Sequence, residues 1–505
     1  MNRYFAIVVL TLGFPGTAAA QSRASLFIPA DHWSNPFVEH LISNGTIRDP
    51  SPLSRPLKRR AVLAALRDVD RSNLSRATRE TIGRIERDFT DSESDDVYRF
   101  TAFTGYRASN HARRYDLRQE GPDTRSFLLG GSLTANLGSL VMSSNFFTNQ
   151  TLNDDPDYTG QKNQPVTGRW VGYASFQSRH ADIFLGKIER NWGPAFLPGL
   201  LVSNEPYSYD HLDVRLGTDV FYIETLYSPL NNVDDLSGVP NDRHFIAHRL
   251  VFTPRLPFVF SVGESILLLG PGRKLELWAL NPLQVANFTS KDENSEQGIN
   301  TQLSSDILGR LGEHATVFAS FVLDDIQFKG GSTNDEPISY GLTLGANVGL
   351  RNGIGLTGFY TAVSNLIYRS SNRNPAENYA RRGVGLGRNF SDYDQFTLRA
   401  RFIPVRGVLL EPEITLLRQG EGDFRLPFPD PSEFSTTPVL HDGVVERTVR
   451  LALGGHVFRE HNIQLSWNAG LHSTDNYRHV TGETNTDFVG TVTLRYRFSV
   501  EVPWH

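Results

Sequence analysis

The 505-residue sequence contains no cysteine. Disulfide staples, thiolate metal sites and cysteine nucleophiles are therefore excluded. Long apolar runs are missing too. After the opening segment, nothing approaches the roughly 20 consecutive apolar residues that a membrane-crossing helix requires, so a helical membrane protein is excluded. Nor is there a strong excess of one charge: 50 Lys and Arg against 55 Asp and Glu leave a net charge of −5, too mild and too mixed for a nucleic-acid partner. Signatures of common chemistry are absent as well: the sequence has no H-E-x-x-H, no G-x-x-x-x-G-K-[ST] and no G-x-S-x-G. Gly383 to Gly387 lacks dinucleotide-binding spacing and reads as a loop or the start of a strand, and the 14 histidines are scattered. The chain thus reads as non-enzymatic, with no cofactor and no resident metal.

What is present begins with Arg3, an apolar run over residues 4–14 and Ala18-Ala19-Ala20, the pattern of a secretory signal peptide spanning residues 1–20. Residues 21–96 are expected to form a small α-helical domain on the periplasmic side. Pro36 opens a first helix that carries Phe37, Val38, Leu41 and Ile42 on one face and stops at Asn44-Gly45. A second fits residues 56–66, with Leu57, Ala61, Val62, Ala65 and Leu66 at helical spacing, and a third fits residues 74–89.

From residue 97 to 505 the period changes from 3.6 to 2. Leu342, Leu344, Ala346, Val348 and Leu350 alternate with small or polar neighbours, and Val492, Leu494, Tyr496, Phe498 and Val500 alternate with Thr491, Thr493, Arg495 and Arg497. One face suits lipid and the other water. An apolar content of 39% fits a membrane barrel, because only alternate residues meet lipid, but a soluble β-protein gives a similar average. Connection lengths decide between them. Short turns, as at Arg179-His180, Arg351-Asn352 and Arg459-Glu460, alternate with long segments such as 191–211, 364–389 and 418–446. About 18 antiparallel strands with both ends on one side follow, an all-β transmembrane barrel of the outer-membrane type. The last strand is expected to reach Phe498.

Inside the expected lumen, Arg399 and Arg401 share a face with Glu411 and Glu413 across a short turn, the spacing of a cross-strand ion-pair ladder. Such a ladder serves a polar channel or ties together a filled lumen. Asp154-Asp155-Pro156-Asp157 reads as a calcium loop or as solvated acids. Asp324 and Asp325 point to opposite faces of a strand end and suit a cap or ion pair better than paired acid and base. Carbohydrate recognition needs flat apolar faces beside amides, carboxylates and guanidinium groups. The long loops carry Trp192, Tyr207, Tyr209, Trp278, Tyr368 and Tyr379 near Arg243, Arg369 and Arg381, and these nine are the candidate sugar contacts. Aromatic residues there also suit a folded-in loop core or a membrane-interface belt.

Four segments resemble the capsule assembly protein Wzi family of outer-membrane barrels. They are Ile28-Pro29-Ala30-Asp31-His32-Trp33, Gly186-Lys187-Ile188-Glu189-Arg190-Asn191-Trp192-Gly193-Pro194, Glu276-Leu277-Trp278-Ala279-Leu280-Asn281-Pro282 and Phe321-Val322-Leu323-Asp324-Asp325. The resemblance implies an 18-stranded barrel with a periplasmic helical bundle, a lumen closed by extracellular loops and a lectin-like role. The expected partners are capsular or exopolysaccharide, outer-membrane lipid and polysaccharide export machinery, with the protein acting as a monomer. The rival reading is a porin or substrate-specific channel, since barrels of about 16 to 18 strands leave room for a pore. A third, an outer-membrane hydrolase, requires a nucleophile, histidine and carboxylate gathered at one mouth, which the spacing does not show.

Overall fold

Alternation at period 2 produces strands whose two faces meet different surroundings, and here such strands form a closed ring. The computed structural model describes residues 24–93, 97–254, 257–286, 298–325, 337–370, 373–459 and 462–503; the expected signal peptide lies outside them. The first half of the wall comprises β1 (Val97–Ser109), β2 (Thr124–Leu137), β3 (Leu140–Thr148), β4 (Gly168–Gln177), β5 (Ala181–Ile188), β6 (Tyr209–Gly217), β7 (Phe221–Pro229), β8 (Pro240–Phe252) and β9 (Phe258–Gly270). The second comprises β10 (Ile299–Leu311), β11 (Ala315–Asp325), β12 (Ser339–Gly349), β13 (Gly355–Val363), β14 (Tyr393–Val405), β15 (Val408–Gln419), β16 (Glu446–Phe458), β17 (Ile463–Asp475) and β18 (Thr484–Pro503). Each pairs antiparallel with its neighbours in sequence, and β18 pairs back onto β1 from Val97↔Pro503 to Ser109↔Thr491. The result is a closed 18-stranded antiparallel barrel. Its last strand passes Phe498, where the sequence reading ended it, because β1 supplies a partner as far as Pro503.

The two faces separate as the pattern requires. On β16, Val449, Leu451 and Leu453 are exposed while Thr448 and Arg450 are buried; on β2, Phe127 and Leu129 are exposed while Ser126 and Leu128 are buried. An outward apolar belt around a closed ring is the lipid-facing surface of a membrane barrel. No helix of the described residues is long and apolar enough to cross a membrane. Turns alternate with loops around the ring. Two residues, Arg406 and Gly407, join β14 to β15, and Gly407 takes φ +67°, with the Phe458 carbonyl oxygen 2.3 Å from where a Cβ would stand. On the opposite end, long connections fold back into the lumen, where their Ile367, Tyr368, Tyr379, Leu386 and Phe424 are buried.

Three helices pack at the short-turn end: α1 (Asn35–Ser43), α2 (Arg59–Arg67) and α3 (Arg76–Ser92). The second starts later than its apolar periodicity predicts, because Lys58 is held in an antiparallel bridge to Phe27. The third starts where Ser75 caps it, the hydroxyl accepting from the Thr78 amide at 3.1 Å. Phe37, Val38, Leu41, Val62, Leu66, Ile82, Ile85 and Phe89 form one core that continues into Ile403, Leu409 and Phe458 of the wall. Short helices bury too little alone, and the barrel completes their core. Trp33 stacks on Phe458 at 4.1 Å, and the Asn44 amide donates to the Gly353 carbonyl at 3.1 Å. Lys58 and Asp182 pair at 2.6 Å.

Candidate functional site

The lumen holds two layers. Beneath the long loops lies an apolar plug built from Trp192, Leu200, Leu201, Val202, Tyr209, Ile367, Tyr368, Tyr379, Leu386 and Phe424, packed on Phe245, Leu267, Val322 and Val363 of the wall. Side-chain bonds fix the backbone of these loops. Asn191 donates to the carbonyls of Pro194 (3.1 Å) and Leu197 (3.2 Å) and accepts from the Gly199 amide at 2.5 Å. Asp392, in the left-handed region at φ 60°, accepts from the amides of Gly422 (2.9 Å), His441 (2.5 Å) and Asp442 (2.9 Å), joining two loops through one carboxylate.

Seven of the nine candidate sugar contacts belong to this interior. Trp192 is buried under the Arg249 guanidinium, 4.2 Å from its ring. Tyr209 is buried in the plug, while Tyr368 and Tyr379 stack at 5.8 Å and donate to the carbonyls of Leu200 (2.7 Å) and Leu201 (3.4 Å). Arg243 is buried and donates to the carbonyls of Asn378 (2.6 Å) and Ala380 (3.0 Å). Arg369 donates to the Pro427 carbonyl and to Asn365 Oδ1; burial pulls it down to about 10, so it keeps its charge at neutral pH. Tyr207 donates to Asp155 and lies between the guanidinium groups of Arg114 (4.1 Å) and Arg169 (4.5 Å). Burial pushes Tyr207 and Asp155 both upward. Only Trp278 and Arg381 are half-exposed, Trp278 donating to Glu276 at 2.7 Å and Arg381 to Thr159 at 3.3 Å. Of the two roles the sequence allows the loop aromatics, a ligand face or a folded-in loop core, Trp192, Tyr209, Tyr368 and Tyr379 take the second and supply apolar area that holds the loops inside the barrel.

The acidic loop is likewise inward: Asp155 and Asp157 are buried rather than solvated, and Asp157 pairs with Arg113 at 3.1 Å. Among the described residues no group of three or more His, Cys, Asp or Glu is gathered to hold a metal ion. Asp324 accepts from the Tyr368 amide at 2.5 Å, while the Asp325 side chain lies outside the described residues. Within the wall, Arg399 Nη2 lies 2.5 Å from Glu413 and Arg401 Nε 2.5 Å from Glu411. Arg450 adds a bond to Glu413 at 2.7 Å.

Between plug and helices the lumen widens into a cavity of about 990 Å³ bordered by β1 to β5 and β18. Its lining includes Arg59, Arg99, Arg107, Arg169, Arg495 and Arg497, which the sequence reading did not single out. The signal was available: Arg495 and Arg497 occupy the non-lipid positions of the last strand. The outer surface of the loops is different again. Arg373, Arg382 and Arg425 are exposed there. The Arg382 amide donates to Asn231 at 2.7 Å, and Arg425 Nε to the Gly383 carbonyl at 2.8 Å.

No protein-family model matches the chain, and no curated protein matches it by sequence. Among solved structures it matches Wzi of Escherichia coli, described as an outer membrane protein involved in group 1 capsule assembly and a carbohydrate-binding β-barrel. The TM-score is 0.61 at 14% identity, over 95% of this chain and 99% of that one. The two chains share one fold. The Wzi family, which the four sequence segments resemble, thus also supplies a structural match. OccK11 (OpdR) of Pseudomonas aeruginosa matches at TM-score 0.43 and 11% identity over 80% of this chain and 96% of that one. OccAB3 of Acinetobacter baumannii matches at TM-score 0.43 and 8% identity over 80% and 99%. Those two likenesses are too distant to carry an argument. On the Wzi-like frame, the Gly186 to Pro194 segment leaves β5 and pairs Asn191-Trp192 with Ser54-Arg55, tying loop, wall and helical segment together.

Proposed function

We propose that this chain is an outer-membrane protein that binds surface polysaccharide at its loop face and so attaches or organises capsule or exopolysaccharide. The observation that carries the reading is the plug: with the long loops folded into the lumen, the accessible surface on that side is a loop surface rather than a pore. The likeness to a carbohydrate-binding barrel supports it. Trp278 and Arg381, half-exposed, and the exposed Arg373, Arg382 and Arg425 are the contacts this reading favours. The aromatic face and guanidinium forks suit sugar rings and acidic substituents. The helices then face the periplasm, where export machinery would dock, and the chain acts as a monomer without catalysis.

Purified surface polysaccharide should bind the detergent-solubilised protein, and cells lacking the gene should shed that polysaccharide. Normal retention on such cells overturns the proposal. A substrate-specific channel is the second reading, favoured by the polar chamber beneath the plug.

A further inference from the structure

The chamber has a charge opposite to that of the whole chain. Against a net −5 overall, it is lined among the described residues by eleven arginines, five carboxylates and no lysine. Strand geometry concentrates the cations: Arg107 on β1 and Arg495 and Arg497 on β18 occupy inward positions of two paired strands. Arg495 is paired, at 2.9 Å from Asp31. Among the described residues, Arg107 and Arg497 have no carboxylate in salt-bridge range, and the Arg107 Nε is buried without a hydrogen-bond partner. Arg59 goes further: it is 9% exposed, its Nε has no partner, and its contact is the Phe89 ring at 5.6 Å. A buried guanidinium without an anion is a costly arrangement that proteins ordinarily avoid. The same field reaches His32, which burial and then Arg497, Arg59 and Arg99 hold well below the usual imidazole range.

Access is one-sided. Exposed Arg87, Asp91 and Asn462 border the chamber at the helical end, whereas Tyr207 and Arg114 close it beneath the plug. Its volume of about 990 Å³ matches the upper range of small-ligand sites. Guanidinium forks recognise carboxylate and phosphate oxygens in pairs. We propose that this chamber binds an oligoanion bearing carboxylates or phosphates, which enters from the helical end and lies along Arg59, Arg107 and Arg497. The inference stands independently of polysaccharide binding at the loop face.

The test is calorimetric titration of the full detergent-solubilised protein with trigalacturonate, tripolyphosphate and neutral maltotriose. At least one anion should bind, more weakly as salt rises, while maltotriose should not; the anion that binds tighter identifies carboxylate or phosphate as the source. The double variant Arg107→Gln, Arg497→Gln should weaken binding about tenfold or more. Arg447→Gln, an exposed arginine outside the chamber, should leave it unchanged. In case the double variant assembles poorly, phenylglyoxal labelling of the wild-type protein, read by mass spectrometry, should show Arg107 and Arg497 shielded by the bound anion. The proposal is overturned if neither anion binds, if maltotriose binds as well as trigalacturonate, if a folded double variant keeps wild-type affinity, or if the anion shields neither arginine. Intact surface polysaccharide reports on the loop face separately.

Discussion

Arg249 shows what one inward-facing side chain does in such a barrel. It is buried, pairs with Glu224, donates to the Leu53 carbonyl at 2.8 Å, and covers the Trp192 ring, so wall, helical segment and plug meet at one guanidinium. Removing one member strands the other charge in the interior, and Arg249→Ala should cost about 3–5 kcal/mol, read as a lower urea midpoint. His40 makes a different kind of prediction. Burial in α1, and then Arg401, push its imidazole down to about 3, against an ordinary 6.5. The folded protein therefore keeps His40 neutral while the unfolded chain takes up a proton. Stability contributed by the neutral ring is complete above about pH 6.5 and is lost progressively as pH falls toward the folded value. Between pH 7 and pH 5 the loss from this group should be about 2 kcal/mol, and His40→Gln should flatten that part of the urea-midpoint profile. An unchanged pH slope in the variant would remove His40 as its source.

At the scale of elements, the two loops of residues 364–392 and 420–445 are held by the Asp392 carboxylate and its three amide donors. Asp392→Ala leaves those amides unsatisfied and should lower the local opening free energy by about 1–3 kcal/mol. Faster tryptic cleavage after the exposed Arg425, with the wall intact, is the expected result. Strands were legible in the sequence because a lipid face and a luminal face impose a period of 2 on each, as Val449, Leu451 and Leu453 do against Thr448 and Arg450. Their order was legible because turns and loops alternate in length. The plug was not. A tyrosine such as Tyr368 reads alike whether it meets a sugar or a core, and only its bond to Leu200, 168 residues away, decides between them. Arg495 and Arg497 of the chamber were visible as water-facing strand positions, whereas Arg59 reads from the sequence as a solvated helix position and is buried instead; their convergence depends on the closing of the ring.

On the scale of the whole molecule, the plug occludes one end of the barrel and the helices narrow the other. The purified protein should therefore give no large, stable conductance steps in planar bilayers, whereas regular steps of porin size would favour the channel reading. The seam between β1 and β18 carries one more consequence. Val97 meets Pro503, so the first strand made must wait for the last before either is complete. During that interval both carry unsatisfied backbone edges, the situation in which chains aggregate by adding strands to one another. Synthesis of the entire wall thus precedes its closure, and the lifetime of those two open edges is set by the length of chain between them.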